Sequence, residues 1–174
     1  MGQDEEVGKV FLRTAVAELH RIKERADTAM AQLRDEAQLF WAPDRESNSI
    51  DVIVRHLSGN MLSRWSDFLT TDGEKPGRNR DAEFEPADRM TRERLLGEWE
   101  KGWRCLFDAM SALTPSDLMR TVTVRGNPLS VMQAIYQQSS HYANHVGQII
   151  YLAKHRAGAS WQTLTIPRRR PKQS

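Results

Sequence analysis

Four segments of this chain repeat apolar residues at spacings of three and four, which is the periodicity of one buried helix face. They cover residues 5–40, 49–70, 91–113 and 128–158. Pro43 follows the first segment and stops a helix, and Asn48 or Ser49 can cap the second. Asn127 is the corresponding cap candidate before Pro128. We therefore predict an all-α fold, arranged as an antiparallel four-helix bundle.

Two connections between these segments differ from ordinary short turns. Residues 72–90, "DGEKPGRNRDAEFEPADRM", form a long charged loop after the second helix. Loops of this length in compact domains tend to be functional or disordered. Residues 119–127, "MRTVTVRGN", alternate Thr and Val before a turn at Arg-Gly-Asn. This pattern predicts a short strand or hairpin before the last helix.

The composition excludes several classes of protein. Apolar residues make up 39% of the 174 residues and charged residues 28%, which is typical of a globular chain. We expect one domain over residues 1–166. No apolar run approaches the ~20 residues that span a bilayer. The start "MGQDEEVGKV" lacks the basic and apolar regions of a secretory signal, so we expect a cytoplasmic protein without a membrane partner.

A basic segment, residues 167–174, follows the last apolar pattern. It carries four of the positive charges, Arg168, Arg169, Arg170 and Lys172, and removing these from the net charge of +2 leaves −2 for the rest. The segment is short, interrupted by proline and free of aromatic residues. We interpret it as a flexible tail, and we do not expect a nucleic-acid partner.

The single cysteine, Cys105, permits neither an intrachain disulfide nor a cysteine-based metal site. It lies among apolar residues of the third helix, where an inert core thiol is the expected state. The tryptophans of the helices favour core or dimer-interface positions over a ligand site. Trp99 and Trp103, four residues apart, form a ridge that suits either a dimer contact or packing within the chain.

Three histidines are candidates for one metal site. His141 and His145 differ by about 40° around a helix axis, so they share a face one turn apart. Both lie at the margin of the apolar stripe of the fourth helix, and His56 lies at the corresponding margin of the second. If these helices are neighbours, three imidazoles can converge on Zn²⁺ or Ni²⁺ and leave a coordination position open. The residues alone also allow three ordinary hydrogen-bonded histidines. His20 and His155 are expected on polar, solvated faces.

Other polar residues are candidates to assist such a site. Asn60 and Gln148 lie on the histidine sides of their helices and could orient a ligand, although either could simply face solvent. Asn144 has the same two interpretations, and Gly147 suggests a packing reason for a helical glycine. In the charged loop, Arg78 and Arg80 could line the pocket mouth and hold an anionic substrate. The alternative is a salt-bridged surface loop.

Three stretches together resemble a known family. They are "SIDVIVRHLSGNMLSRWSDFL", "DGEKPGRNRDAEFE" and "HYANHVGQIIYLAKH". Over residues 8 to 165 the chain resembles the DinB/YfiT-like superfamily of bacterial four-helix bundles, and within it a subfamily of uncharacterised function. The resemblance implies a divalent metal, often nickel or zinc, on His56, His141 and His145. It also implies a homodimer and, in several members, transfer chemistry with low-molecular-weight thiols such as bacillithiol or mycothiol.

We therefore hold three hypotheses for the function, two of which are enzymes that act on a small-molecule substrate. The first is a metal-dependent thiol S-transferase. The second is a non-enzymatic, stress-related dimer whose metal is structural or sensory. The third is a metal-dependent hydrolase, for which the sequence shows no obvious paired carboxylate as general base.

Overall fold

Four helices dominate the computed structural model, which describes residues 2–85, 87 and 90–166. They are α1 (Gln3–Ala31), α2 (Ile50–Trp65), α3 (Arg92–Ser111) and α4 (Val131–Ala157). Two short antiparallel strands, β1 (Thr121–Val124) and β2 (Asn127–Ser130), form a hairpin before α4. The all-α class is confirmed, and the expected hairpin is present. The predicted basic tail, residues 167–174, lies outside the described residues.

The ends of the helices differ from the predicted segments for local reasons. α1 ends at Ala31, and a separate turn, Glu36–Gln38, lies between the buried Leu33 and Leu39. α2 ends at Trp65, because Ser66 adopts an extended backbone and Asp67 a left-handed one with φ of 48°. The predicted cap of α4 was wrong, since Asn127 and Pro128 belong to β2. Ser130 caps α4 instead: its hydroxyl accepts from the N–H of Gln133, whose side chain accepts in return.

The helices pack so that the candidate histidines come together. α1 packs chiefly against α4 and α2 chiefly against α3, and α2 also contacts α4. The core between them is rich in large aromatic side chains, all essentially inaccessible to solvent: Trp65, Trp99, Trp103 and Tyr142. The ridge formed by Trp99 and Trp103 therefore packs within the chain.

A hydrogen-bonded chain crosses this core from α2 to α4. The indole Nε1 of Trp65 donates to the hydroxyl of Tyr142 at 2.9 Å, and that hydroxyl donates to Oδ1 of Asn60 at 3.0 Å. Buried polar groups stabilise a fold only when they are paired in this way. These two hydrogen bonds fix how α2 and α4 lie against each other, one turn away from the histidines.

Glycine allows the close approach of α2 and α3. A Cβ on Gly102 would lie 3.0 Å from Cα of Ser58 and 3.2 Å from Cε of Met61. Gly147, for which the sequence suggested a packing reason, has open space around it instead and is exposed. Within the described part of the chain, none of the helices has an apolar stretch long enough to cross a bilayer.

We expect opposite effects from two glycine-to-alanine changes on α3. Gly97 is exposed and has open space, so Gly97→Ala should raise the free energy of unfolding by about 1 kcal/mol through helix propensity. Gly102→Ala should lower it by about 1–2 kcal/mol, because overpacking against the α2 backbone outweighs the same propensity gain. Urea unfolding curves measure both values. A stabilising Gly102→Ala would contradict the close contact of the two helices.

Candidate metal centre

Three imidazoles converge at the contact of α2 and α4. His56 comes from α2, and His141 and His145 come from successive turns of α4. Their candidate ligand nitrogens all lie within 4.8 Å of one another. Nε2 of His56 lies 3.4 Å from Nε2 of His141, and the ring centroids of the three pairs are 4.8–5.4 Å apart. The helical spacing and the packing of α2 on α4 together produce this cluster.

The donor set fits a divalent transition metal. Imidazole nitrogens are common ligands of zinc and nickel, and zinc–nitrogen bonds of about 2.0–2.1 Å bring two ligand nitrogens to within about 4.2 Å of each other. The observed separations approach this arrangement, so small side-chain adjustments suffice for all three to bind one ion. Three protein ligands also leave a coordination position for water or a substrate.

His56 is oriented by a carboxylate that sequence reasoning missed. Nδ1–H of His56 donates to Oε2 of Glu83 at 2.9 Å, which leaves Nε2 with its lone pair facing the other histidines. Arg78 in turn grips Glu83, with Nε donating to Oε1 at 2.7 Å and Nη2 to Oε2 at 2.8 Å. Such carboxylate–histidine pairs commonly orient metal ligands and raise their basicity. Nothing in "RDAEFE" distinguishes Glu83 from its acidic neighbours before the fold is known.

The conformation of the charged loop places Glu83 beside His56. A single turn, Asp81–Glu83, carries it, and the buried Arg55 holds this turn by donating to the carbonyls of Ala82 and Glu85 at 3.1 and 2.8 Å. A Cβ on Gly59 would collide with the Glu83 carboxylate, whose Cδ would lie 2.9 Å away. Glycine at position 59 therefore gives the carboxylate room to reach His56.

The two histidines of α4 have different environments. Nδ1–H of His145 donates to Oε1 of Gln148 at 2.9 Å, so this predicted residue does contact a histidine. Nδ1 of His141 is buried and has no hydrogen-bond partner among the described residues. Its ring is positioned by packing, with the ring of Tyr142 at 5.6 Å and those of His56 and His145 edge-on.

Electrostatics keep the α4 histidines ready to bind a cation. Burial, with smaller contributions from His145, His56 and nearby arginines, lowers the pKa of His141 to about 4. Burial also lowers the pKa of His145, although the bond to Gln148 opposes this. Burial acts to raise the pKa of Glu83, but hydrogen bonds from His56 and Arg78 outweigh it and lower the pKa. At neutral pH the α4 imidazoles are thus uncharged, with no proton to release on binding a metal.

A cavity of about 800 Å³ opens beside the three histidines. Arg78 and Arg80, which the sequence suggested for the pocket mouth, line it together with Asn60, but their contacts differ. Asn60 accepts from Tyr142, and Arg78 is engaged by Glu83. The exposed Arg80 stacks on the ring of Phe84 with its Cζ 5.0 Å from the centroid. The volume is ample for a small-molecule ligand.

The remaining candidates lie away from the cluster. His20 and His155 are exposed and stack on Phe107 and Trp41. Asn144 is exposed and lines a separate cavity. Cys105 is half-buried against the core, with its Sγ 3.5 Å from Oγ of Ser66.

The metal-free protein should lose stability as the pH falls from 6.5 towards 4. The unfolded chain protonates His141 near its usual pKa of 6.5, whereas the folded protein keeps it neutral until about pH 4. The unfolded state binds more protons over this window, so each step down in pH favours unfolding. Thermal midpoints measured in chelating buffer should fall across it, and less steeply for His141→Gln. Equal slopes for the two proteins would contradict the burial of a neutral His141.

Comparison with known proteins identifies the family of the chain but no activity. Residues 6–170 match the model of a family described as "Protein of unknown function (DUF1572)". No curated protein and no solved structure matches the chain. Since the match covers almost the whole length, the chain belongs to the DUF1572 family.

Proposed function

We propose that this protein binds one divalent metal ion, zinc or nickel, through His56, His141 and His145, and uses it as a thiol S-transferase. The observation that carries the proposal is the convergence of three imidazoles, one of them oriented by the Arg78–Glu83 pair. Membership of the DinB/YfiT-like superfamily and an antiparallel four-helix bundle are parts of the same proposal. The resemblance of the histidine motifs and the packing of α1 on α4 and α2 on α3 support them.

The metal supplies one element of the chemistry: when bound, it lowers the pKa of a coordinated thiol, which when free is mostly protonated at pH 7. The protein residues supply the rest. Three neutral protein ligands leave room for the thiol, and the cavity shapes the approach of an electrophile. The thiol passes its proton to solvent, its sulfur forms a bond to the electrophilic carbon, and the bond from that carbon to the leaving group breaks, so that the leaving group departs with the electron pair.

The carboxylates near the site favour thiol transfer over hydrolysis. Glu83 is held by both His56 and Arg78, so it is not free to accept a proton from water. Among the described residues lining the cavity, Glu74 is the one carboxylate, and it is engaged by Arg78 and Arg125 at 3.4 and 3.3 Å. A metal-activated thiol needs no further base, whereas hydrolysis commonly uses one.

Metal uptake is the first test. We expect the wild-type protein to bind one zinc or nickel ion per chain, and His141→Ala to bind none tightly. Glu83→Gln should weaken binding about 10- to 100-fold, because it removes the charged acceptor that orients His56. Elemental analysis and competition with a chromogenic chelator measure both effects.

His155→Ala is the matched control for metal uptake, since His155 is an exposed histidine of the same helix. It should bind like the wild type. Equal uptake by the His141→Ala and His155→Ala proteins would exclude the three-histidine site.

Turnover separates an enzyme from a protein whose metal is structural or sensory. Metal-loaded protein, incubated with bacillithiol, mycothiol or another small thiol and a chromogenic electrophile, should form the thioether faster than His56→Ala does. A protein that shows no difference in rate, but unfolds at lower temperature when the metal is removed, would be the non-enzymatic alternative. Sedimentation of the same samples tests the homodimer, which remains a prediction.

A further inference from the structure

Arg64 is a buried cation that has no partner among the described residues. Its side chain lines the cavity from α2, the residue is 6% exposed, and Nε and Nη1 are fully buried with no acceptor in the described part of the chain. No hydrogen bond or ion pair of Arg64 occurs within residues 2–85, 87 and 90–166. The neighbouring Arg55 and Arg78 both have oxygen partners. Burying an unpaired charge costs free energy of folding, so a guanidinium that lacks a partner inside a cavity indicates that an anionic ligand binds there.

The backbone holds this guanidinium in place. A Cβ on Gly73 would lie 2.8 Å from Nη1 and 2.9 Å from Cδ of Arg64, so the loop closes directly over the side chain. Gly73 is itself fixed, because its N–H donates to the carbonyl of Thr123 at 2.8 Å and its carbonyl accepts from Ser63 at 3.1 Å. The binding group is therefore preorganised before any ligand arrives.

The charges around the cavity leave Arg64 unneutralised. Four arginines line it, Arg64, Arg78, Arg80 and Arg125, against the single carboxylate of Glu74 among the described lining residues. Arg78 and Arg125 share Glu74, and Arg78 also binds Glu83. Burial lowers the pKa of Arg64, yet a guanidinium remains charged at neutral pH. A divalent metal at the histidines would add further positive charge.

Arg64 and His56 lie along one side of α2. His56, Asn60 and Arg64 occupy successive turns, so Arg64 lies about 12 Å along the axis from His56. Across the cavity, one turn before His141 on α4, Oε1 of Gln138 is also buried and has no hydrogen-bond partner among the residues that the structure describes. A small molecule that fills the cavity can thus reach the histidines at one end and Arg64 at the other.

We propose that Arg64 is the anion-binding residue of this cavity, and that it receives a carboxylate of the molecule that the histidine site acts on. Nε and Nη1 are fully buried, so the carboxylate would accept from Nη2, and a hydrogen bond between two charged groups is stronger than one between neutral groups. The histidine end of this inference rests on the proposed function, whereas the anion end rests on Arg64 alone. Arg78, which the sequence suggested for this role, is already engaged by Glu83.

Calorimetry with zinc-loaded protein tests the pairing. The probes are straight-chain thiol carboxylates, from mercaptopropionate to mercaptooctanoate, each matched with the thiol alcohol of the same length. In the wild type we expect the best carboxylate to bind at least tenfold more tightly than its alcohol. Arg64→Met should weaken that carboxylate about 10- to 100-fold and leave the alcohol unchanged. Arg64→Lys, which keeps the charge but loses the planar guanidinium, should lie between the two.

Arg94→Met is the matched control, since Arg94 is an exposed arginine of α3 outside the cavity. It should bind every probe as the wild type does. Equal affinities for carboxylates and alcohols at every length in the wild type would overturn the inference, as would a carboxylate preference that survives in Arg64→Met. Competition by free zinc is controlled by titrating each probe into zinc alone.

Failure of the proposed function is visible separately, as an absence of zinc uptake. The comparison then uses hexanoate and hexanol with the metal-free protein. Tighter binding of hexanoate to the wild type than to Arg64→Met supports the anion site without the metal, and equal binding overturns it.

Stability gives an independent readout of the unpaired charge. Without ligand, Arg64→Met should unfold at a higher temperature than the wild type, because it replaces a desolvated cation with an apolar side chain of similar length. Arg94→Met should change the midpoint little. A drop of several degrees in Arg64→Met alone would assign Arg64 a structural role and overturn the inference.

Discussion

The Glu83 carboxylate joins the loop between α2 and α3 to the histidine face of α2, and the geometry of the site depends on this contact. It accepts from His56 on one side and from two nitrogens of Arg78 on the other, inside a region from which solvent is largely excluded. A buried charge of this kind is tolerated only when its partners are all in place. Arg55 holds the loop turn that carries Glu83, and Gly59 leaves space for its carboxylate. The loop is therefore part of the site, and the tautomer and orientation of His56 follow from it.

The same loop also covers Arg64. The two arginines beside the loop, Arg64 and Arg78, differ in their partners. Arg78 is paired with Glu83, whereas Arg64, covered by Gly73, has no hydrogen-bond acceptor among the described residues. A protein built for stability alone would gain by replacing an unpaired buried guanidinium with an apolar residue. Retaining it beside three imidazoles and a cavity of about 800 Å³ is consistent with selection for a ligand rather than for the fold. Binding sites commonly retain unfavourable groups of this type at a cost in stability.

Helical periodicity predicted the fold class and the common face of His141 and His145, because both depend on spacing along one element. The convergence of His56 with them required α2 and α4 to be neighbours, which spacing cannot establish. The position of Glu83 could not be predicted, since it depends on the path of an irregular loop held by Arg55 and Gly59. Arg64 was missed for a related reason. That it lacks a partner among the described residues becomes known only when the surrounding residues are placed. The early end of α1 and the cap at Ser130 reflect local turn chemistry that apolar periodicity does not record.

X-ray absorption at the metal edge of zinc-loaded protein tests the central claim most directly. Three imidazole ligands should give nitrogen scatterers at about 2.0–2.1 Å with the multiple-scattering pattern of histidine. Addition of a small thiol should introduce one sulfur at about 2.3 Å without loss of the imidazoles. A first shell made of oxygen, or one that contains a single imidazole, would contradict the account, because the three rings would then be neighbours and not ligands of one ion.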